Sequence, residues 1–213
     1  VHPLGEQITA GRLLYPLIEA GTEFGAGEIA EYLEKERQML PALPEGTAAY
    51  TDKMPENYRL IGFLKTVHPG ARFVHLRRDP RDVALSMWRG HFAGSALNYT
   101  YDLRAMAHRF NLYAEIMAFW HRLLPGEILD LPYEEITADA EAASKRLAEH
   151  CGLEWAPQMA RPEEADGAVL TLSAGQLRQP VHRKSVGGWR QHEETLAPFI
   201  AGLDPALWPG WDA

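Results

Sequence analysis

The apolar positions of the chain predict helices that alternate with short strands. Between residues 102 and 124 the spacing alternates between three and four, which predicts one long helix with a single buried face. The apolar positions in that stretch are Leu103, Met106, Phe110, Tyr113, Met117, Trp120 and Leu124. Further amphipathic patterns predict helices within residues 1–21, 28–40, 55–68 and 140–150, and another that starts at about Asp82.

Short apolar runs bounded by turn residues predict the strands. Residues 71–76 and 127–131 each follow a Pro-Gly pair, and residues 47–51 could form a third strand. Strands that alternate with helices indicate an α/β fold, in which a parallel sheet is covered by helices on both sides.

Length and composition indicate one globular domain. The chain has 213 residues, of which 46% are hydrophobic, enough to bury one substantial core without disulfides or metals. The single cysteine, Cys151, has no partner within the chain, which favours a reducing compartment and hence the cytoplasm. No run approaches the roughly 20 apolar residues that span a bilayer.

The charge of the chain is unevenly distributed. A net charge of −8 argues against a nucleic-acid binder. Three arginines nevertheless fall within residues 77–81, and a second group of cations lies near the C-terminus at Arg178, Arg183, Lys184 and Arg190. Such groups on an acidic protein suit a small polyanionic ligand, although arginines exposed on helix faces would give the same pattern.

The segment from Leu76 to Ser86 is the strongest local signal. It is placed where a strand gives way to a helix, and ligands of open α/β sheets bind at such strand ends. Arg78 and Ser86 are therefore candidates to hold a phosphate at the helix N-terminus. The alternative is structural: Asp79 or Asp82 caps the helix, and the arginines pair with carboxylates.

The residues from Arg78 to Ser86 resemble the 3′-phosphate-binding segment of sulfotransferases that use 3′-phosphoadenosine-5′-phosphosulfate (PAPS). Residues 51–58 and 68–72 resemble bacterial sulfotransferases that are often fused to tetratricopeptide repeats, relatives of the protein-tyrosine sulfotransferases. The resemblance implies a P-loop-type, three-layer α/β domain, with a central parallel sheet flanked by helices. It also implies transfer of a sulfuryl group from PAPS to an acceptor hydroxyl, with adenosine 3′,5′-bisphosphate as product.

The acceptor class stays open at this point. A peptide tyrosine, a sugar, a lipid or a small molecule would each offer the required hydroxyl. By analogy with the family, an upstream repeat domain is a possible attachment. No metal is required by this chemistry.

The same resemblance assigns roles to individual residues. It places Arg78 and Ser86 at the 3′-phosphate, Tyr133 at the adenine, and Lys53 near the leaving phosphate. Residues 176–190 resemble the loop that closes over the donor, with Arg183, Lys184 and Ser185 as phosphate ligands. Glu6 corresponds to the general base, with Gln7 under a one-residue shift, or a histidine, as alternatives.

One family segment is not found in the sequence. The family opens with a strand and a Gly-x-Pro-Arg-Ser-Gly-Thr-Thr loop around the 5′-phosphosulfate, and no such segment occurs here. Residues 1–213 are therefore expected to be one sulfotransferase domain without its first strand and P-loop. Two rival functions remain, a P-loop nucleotide kinase and a binding or interaction module without turnover.

Overall fold

A computed structural model describes residues 1–92, 95–164 and 182–210. The chain divides into two compact units, residues 1–71 and residues 72–213. Each unit contains one pair of parallel strands and its own apolar cluster.

The first unit packs helices beside a very short strand pair. Its elements are β1 His2–Pro3, α1 Thr9–Glu19, α2 Ala26–Met39, β2 Tyr50–Thr51, a 3₁₀ turn Pro55–Arg59, and α3 Ile61–Val67. Strand β1 pairs in parallel with β2, with His2 opposite Tyr50 and Pro3 opposite Thr51. The apolar cluster of this unit contains Ala10, Leu14, Tyr32, Leu60 and Val67.

The helix predicted for residues 55–68 is divided in two. Pro55 begins the 3₁₀ turn, whose last N–H, that of Leu60, donates to the Asn57 carbonyl at 2.9 Å. Leu60 has φ −113° and ψ 4°, which lies outside the helical range, so α3 starts only at Ile61. Leu60 is one of the buried residues of the cluster, so the break keeps its apolar contact.

The second unit carries the longer strand pair. Its elements are β3 Phe73–Arg77, α4 Pro80–Arg89, a 3₁₀ segment Ser95–Tyr101, α5 Leu103–Leu123, β4 Ile128–Pro132, α6 Tyr133–Ala138, α7 Ala140–Cys151, 3₁₀ turns Pro157–Ala160, Pro162–Glu164 and Gly188–His192, and α8 Glu193–Ile200. Strands β3 and β4 are parallel, and their register runs from Phe73 opposite Ile128 to Arg77 opposite Pro132.

Helices α4, α5 and α8 form the core of the second unit. The buried residues of this cluster are Ala84, Leu85, Met106, Ala107, Trp189, Leu196 and Phe199. Met106, Met117 and Trp120 are buried on α5, as the apolar period predicted. Within the part of the chain that the structure describes, no helix, α5 included, is long and apolar enough to cross a membrane.

The α/β class and the parallel pairing are confirmed. Helix α4 starts at Pro80, two residues before the predicted Asp82, because the Asp79 side chain caps it and proline is well tolerated in the first turn. The predictions missed α6, which follows β4 without a break, and α8, which contains Pro198. A proline removes one backbone hydrogen bond of a helix, so Pro198 in the sequence indicates the end of a helix and not its interior.

Cys151, the last residue of α7, is only partly buried. Burial raises the pKa of its thiol, although Arg72 acts in the opposite direction. A thiol with a raised pKa holds less of the reactive thiolate near neutral pH, so the one cysteine of the chain is poorly suited to be a nucleophile.

Candidate functional site

Two side chains predicted to bind a nucleotide follow directly on the two strands of the second unit. Strand β3 ends at Arg77 opposite Pro132, the last residue of β4. Because the strands are parallel, Arg78 and Tyr133 leave the same edge of the pair. This edge is where open α/β sheets bind their ligands.

Arg78, Tyr133 and Ser185 meet at that edge. The Arg78 guanidinium lies over the Tyr133 ring, with 4.9 Å between Cζ and the ring centroid. Its terminal nitrogen donates to the Ser185 carbonyl oxygen at 2.7 Å, and the Tyr133 hydroxyl lies 3.3 Å from Ser185 Oγ. Three residues from separate segments, all predicted to contact the sulfuryl donor, are thus in mutual contact.

Arg78 differs from the two arginines beside it. Arg77 lies 3.7 Å from a carboxylate oxygen of Asp130, and Arg81 forms a bidentate pair with Asp79. Arg78 pairs with no carboxylate among the described residues, and its Nε is buried without a hydrogen-bond partner there. The structural alternative therefore holds for Arg77 and Arg81, whereas Arg78 keeps donor capacity for an anion.

A buried network behind Arg78 fixes the strand-to-helix turn. Asp79 caps α4 by accepting from the Arg81 backbone N–H at 2.8 Å. Its other oxygen accepts from Trp189 Nε1 at 3.1 Å, and the Arg81 guanidinium lies 3.9 Å from the Trp189 ring centroid. A capping aspartate that also holds a buried arginine leaves this turn little freedom.

Asp82 connects the first turn of α4 to the segment that carries Ser185. Its carboxylate is 3% exposed and accepts from the backbone N–H groups of Gly187 and Trp189 at 2.7 and 2.9 Å. Gly187 has φ +74°, a conformation that glycine adopts without steric cost. Asp82 therefore positions the turn from which Ser185 reaches Arg78, a role that its place in a helix start did not reveal.

Glu134 is a second residue that sequence reasoning missed. Its Oε1 accepts from the backbone N–H of Asp79 at 3.0 Å, and its Oε2 is buried without a partner among the described residues. It follows Tyr133 directly, so the turn after β4 supports the turn after β3. The long separation of the two positions, 55 residues, explains why no local spacing pointed to it.

The other residues predicted to bind the sulfuryl donor lie on the surface. Ser86 is in the second turn of α4 with an exposed side chain, and Arg183 and Lys184 are also exposed. Within the described residues, no hydrogen bond joins Ser86 to Arg78, Tyr133 or Ser185. Residues 176–181 of the predicted closing loop, Arg178 included, lie outside the described residues.

The two predicted catalytic residues belong to the first unit and are adjacent there. Lys53 Nζ and the Glu6 carboxylate form an ion pair, and the Lys53 backbone N–H donates to the Gly5 carbonyl at 2.9 Å. Gln7 is used otherwise: its backbone N–H donates to Asp52 at 3.0 Å and its side chain to the Leu4 carbonyl at 2.6 Å. Glu6, and not Gln7, therefore faces Lys53.

Comparison with protein families identifies the chain. Residues 26–157, well over half of its length, match the model of the sulfotransferase family. The chain belongs to the sulfotransferase family. The matched region includes Lys53, Arg78, Ser86 and Tyr133, so four of the predicted site residues lie inside it.

Curated relatives of the chain come from several organisms. An uncharacterized protein of Aquifex aeolicus (strain VF5) is 34% identical over 151 residues, which are 70% of this chain and 20% of the relative. A putative protein-tyrosine sulfotransferase of Caenorhabditis briggsae is 25% identical over 188 residues, covering 82% and 64%. Cytosolic sulfotransferase 17 of Arabidopsis thaliana is 26% identical over 160 residues, covering 67% and 43%. The chain thus spans less than two thirds of each of these three proteins.

Proposed function

We propose that this chain is part of a PAPS-dependent sulfotransferase that transfers a sulfuryl group to an acceptor hydroxyl. The observation that carries the proposal is the meeting of Arg78, Tyr133 and Ser185 at the carboxyl edge of β3 and β4. A cation, an aromatic ring and a hydroxyl are the groups that a nucleotide with an extra phosphate requires.

The chemistry of these side chains fits the proposed donor. When bound, PAPS supplies the activated sulfuryl group. Arg78 would hold the 3′-phosphate through its unpartnered Nε, with Ser86 as a second ligand. Tyr133 would contact the adenine, while Arg183, Lys184 and Ser185 would close over the phosphates. Hydrogen bonds to a charged group contribute about 1.5–3 kcal/mol each, so a few of them suffice for selective binding.

The Glu6–Lys53 pair is proposed to serve the acceptor. The Glu6 carboxylate would take the proton of the attacking hydroxyl, and the Lys53 ammonium would balance negative charge that develops on the leaving phosphate. The first unit also has an open groove of about 340 Å³ between α1 and the 3₁₀ turn, lined in part by Ile8, Tyr15 and Met54. This groove suits an acceptor with an apolar body, and the relatives named as protein-tyrosine sulfotransferases make a tyrosyl peptide the first acceptor to assay.

We also propose that the complete domain has the P-loop-type three-layer architecture. Apolar side chains on one face of β3 support this, since Val74 is 42% and Leu76 58% exposed. On the other face, His75 contacts Tyr113 of α5. A further strand and helix that cover Val74 and Leu76 would complete the layers, and residues 1–213 would then belong to one domain.

The proposal predicts discrimination between nucleotides. The chain should bind adenosine 3′,5′-bisphosphate at least about 10-fold more tightly than 5′-AMP, because the added phosphate gains a charged contact with Arg78. Isothermal titration of the purified chain with both nucleotides and with ATP measures this. Tighter binding of ATP would instead favour a nucleotide kinase, and no binding of any nucleotide would favour a module without turnover.

Replacing Arg78 with alanine should weaken binding of adenosine 3′,5′-bisphosphate by about 10- to 100-fold and leave 5′-AMP binding less affected. Arg72→Ala is the matched control, because it removes the same charge from the other end of β3, where Arg72 is exposed and 3.9 Å from Glu127. Equal losses in the two variants would mean that net charge, and not the Arg78 contact, determines affinity.

A further inference from the structure

Two histidines and one aspartate converge on the side of the strand pair that faces α5. His75 comes from β3, Asp130 from β4 and His121 from α5. His75 Nδ1 lies 2.6 Å and His121 Nε2 3.2 Å from the same oxygen of Asp130. One ligand atom from each of the three residues lies within 4.8 Å of the others.

This spacing suits a small divalent cation. Tetrahedral zinc holds nitrogen at about 2.0–2.1 Å and carboxylate oxygen at about 2.0–2.2 Å, so neighbouring ligand atoms lie roughly 3.3 Å apart. The distance between His121 and Asp130 is already close to that value. His75 would have to move away from the Asp130 oxygen by less than about 1 Å. All three residues stand on regular elements, and two of those are hydrogen-bonded strands, so the donors are held in place.

The contacts of His75 place its Nδ1 where a proton or a cation is held against Asp130. Its Nε2 is in hydrogen-bond contact with the Tyr113 hydroxyl, the kind of outer contact that orients a metal-binding imidazole. In the metal-free chain the 2.6 Å contact is a hydrogen bond from Nδ1–H to the Asp130 carboxylate, and Nε2 accepts from Tyr113. In the other tautomer Nε2 donates to Tyr113 and the Nδ1 lone pair faces Asp130, so a metal ion can take the position of the Nδ1 proton.

Charge and burial are compatible with a site open to water. Burial raises the pKa of Asp130, but the hydrogen bond from His75 and the charges of His75, His121 and Arg77 outweigh it, so the pKa lies below its ordinary value. Asp130 is thus an anion at neutral pH. The side chains of His75, His121 and Asp130 are 13%, 34% and 35% exposed, which leaves access for a water molecule as fourth ligand.

We propose that His75, His121 and Asp130 form a binding site for a divalent transition-metal ion of the zinc class. The site joins both strands of the second unit to α5, and it takes no part in the sulfuryl transfer proposed above. The expected affinity is moderate, because the Arg77 guanidinium lies 3.7 Å from the second oxygen of Asp130 and opposes a second cation.

Titration of the purified, EDTA-treated chain with Zn²⁺ tests the proposal. We expect one saturable site per chain and a rise in thermal midpoint of about 5 °C or more at 100-fold excess over Kd. Co²⁺ in the same site should show the intense visible absorption of a four-coordinate ion. His121→Ala and Asp130→Asn should each weaken binding at least about 100-fold, whereas His108→Ala, an exposed histidine on the same helix, should not.

Arg77→Met provides a test in the opposite direction. It removes the opposing charge, so Zn²⁺ should bind about 10-fold more tightly, a result that loss of a structural contact would not give. Equal binding by the wild type, His121→Ala and Asp130→Asn would overturn the proposal. A higher thermal midpoint at lower pH, without a saturable Zn²⁺ site, would also overturn the proposal, because the cluster would then hold a proton and not a metal ion.

Discussion

Replacing Glu6 with glutamine is expected to lower the kcat of sulfuryl transfer by about 100-fold or more. Glutamine has nearly the same shape but cannot accept a proton, and it cannot form the ion pair that the Glu6 carboxylate makes with Lys53. The measurement is the initial rate in the complete protein, with saturating PAPS and an acceptor that it turns over. Affinity for adenosine 3′,5′-bisphosphate should stay unchanged, because Glu6 is not among the residues proposed to hold the nucleotide.

Glu19→Gln is the matched control for this variant. Glu19 ends α1 and is exposed, so its replacement removes one carboxylate from the same unit without a change in rate. The alternative base assignment is tested by Gln7→Ala. If Gln7→Ala lost most of the activity while Glu6→Gln kept it, the assignment of Glu6 would be wrong.

Local periodicity was sufficient for the helices that pack on one continuous face. Helix α5 shows this, because its apolar residues repeat over five turns and its N-cap, Asp102, precedes it directly. The pattern failed where an element is short or interrupted. Six residues of α6 cannot display a period, and α8 has only eight residues with Pro198 among them. The irregular backbone of Leu60 divides a run that has helical spacing throughout.

Sequence resemblance selected residues for the candidate site but gave no information on how the site is built. Family resemblance indicated Arg78, Tyr133 and Ser185, and the parallel strands that end at one edge bring Arg78 and Tyr133 together. The contact with Ser185 spans 107 residues of sequence. No local spacing contains that information, because it depends on how the 182–190 segment is attached to α4.

The arginines of the 77–81 segment show why sequence could not separate binding from structure. All three carry the same charge at similar positions, yet Arg81 is buried against Asp79 and Trp189, whereas the Nε of Arg78 has no hydrogen-bond partner in the described part of the chain. The difference arises from the direction of each side chain at the strand-to-helix turn. It can be assigned only when the carboxylates that reach each guanidinium are known.

Asp82→Ala is expected to lower the free energy of unfolding by about 3 kcal/mol. The change leaves the buried Trp189 N–H and the half-buried Gly187 N–H without their acceptor, and an unsatisfied buried polar group costs about 1–3 kcal/mol. For a chain of this length the thermal midpoint should fall by about 10 °C. Denaturant or thermal unfolding followed by circular dichroism measures the effect.

Comparison with Asp102→Ala separates the effect of burial on stability from the effect of the number of hydrogen bonds. Asp102 also accepts from two backbone N–H groups, those of Arg104 and Ala105 at 2.9 and 2.8 Å, but it is exposed. Water can replace its carboxylate, so this variant should lose only about 1 kcal/mol. Equal destabilisation by the two alanines would show that the burial of Asp82 adds nothing to its two hydrogen bonds. A larger loss for Asp82→Ala, with weaker nucleotide binding, is expected because Ser185 reaches Arg78 only while residues 187 and 189 stay attached to α4.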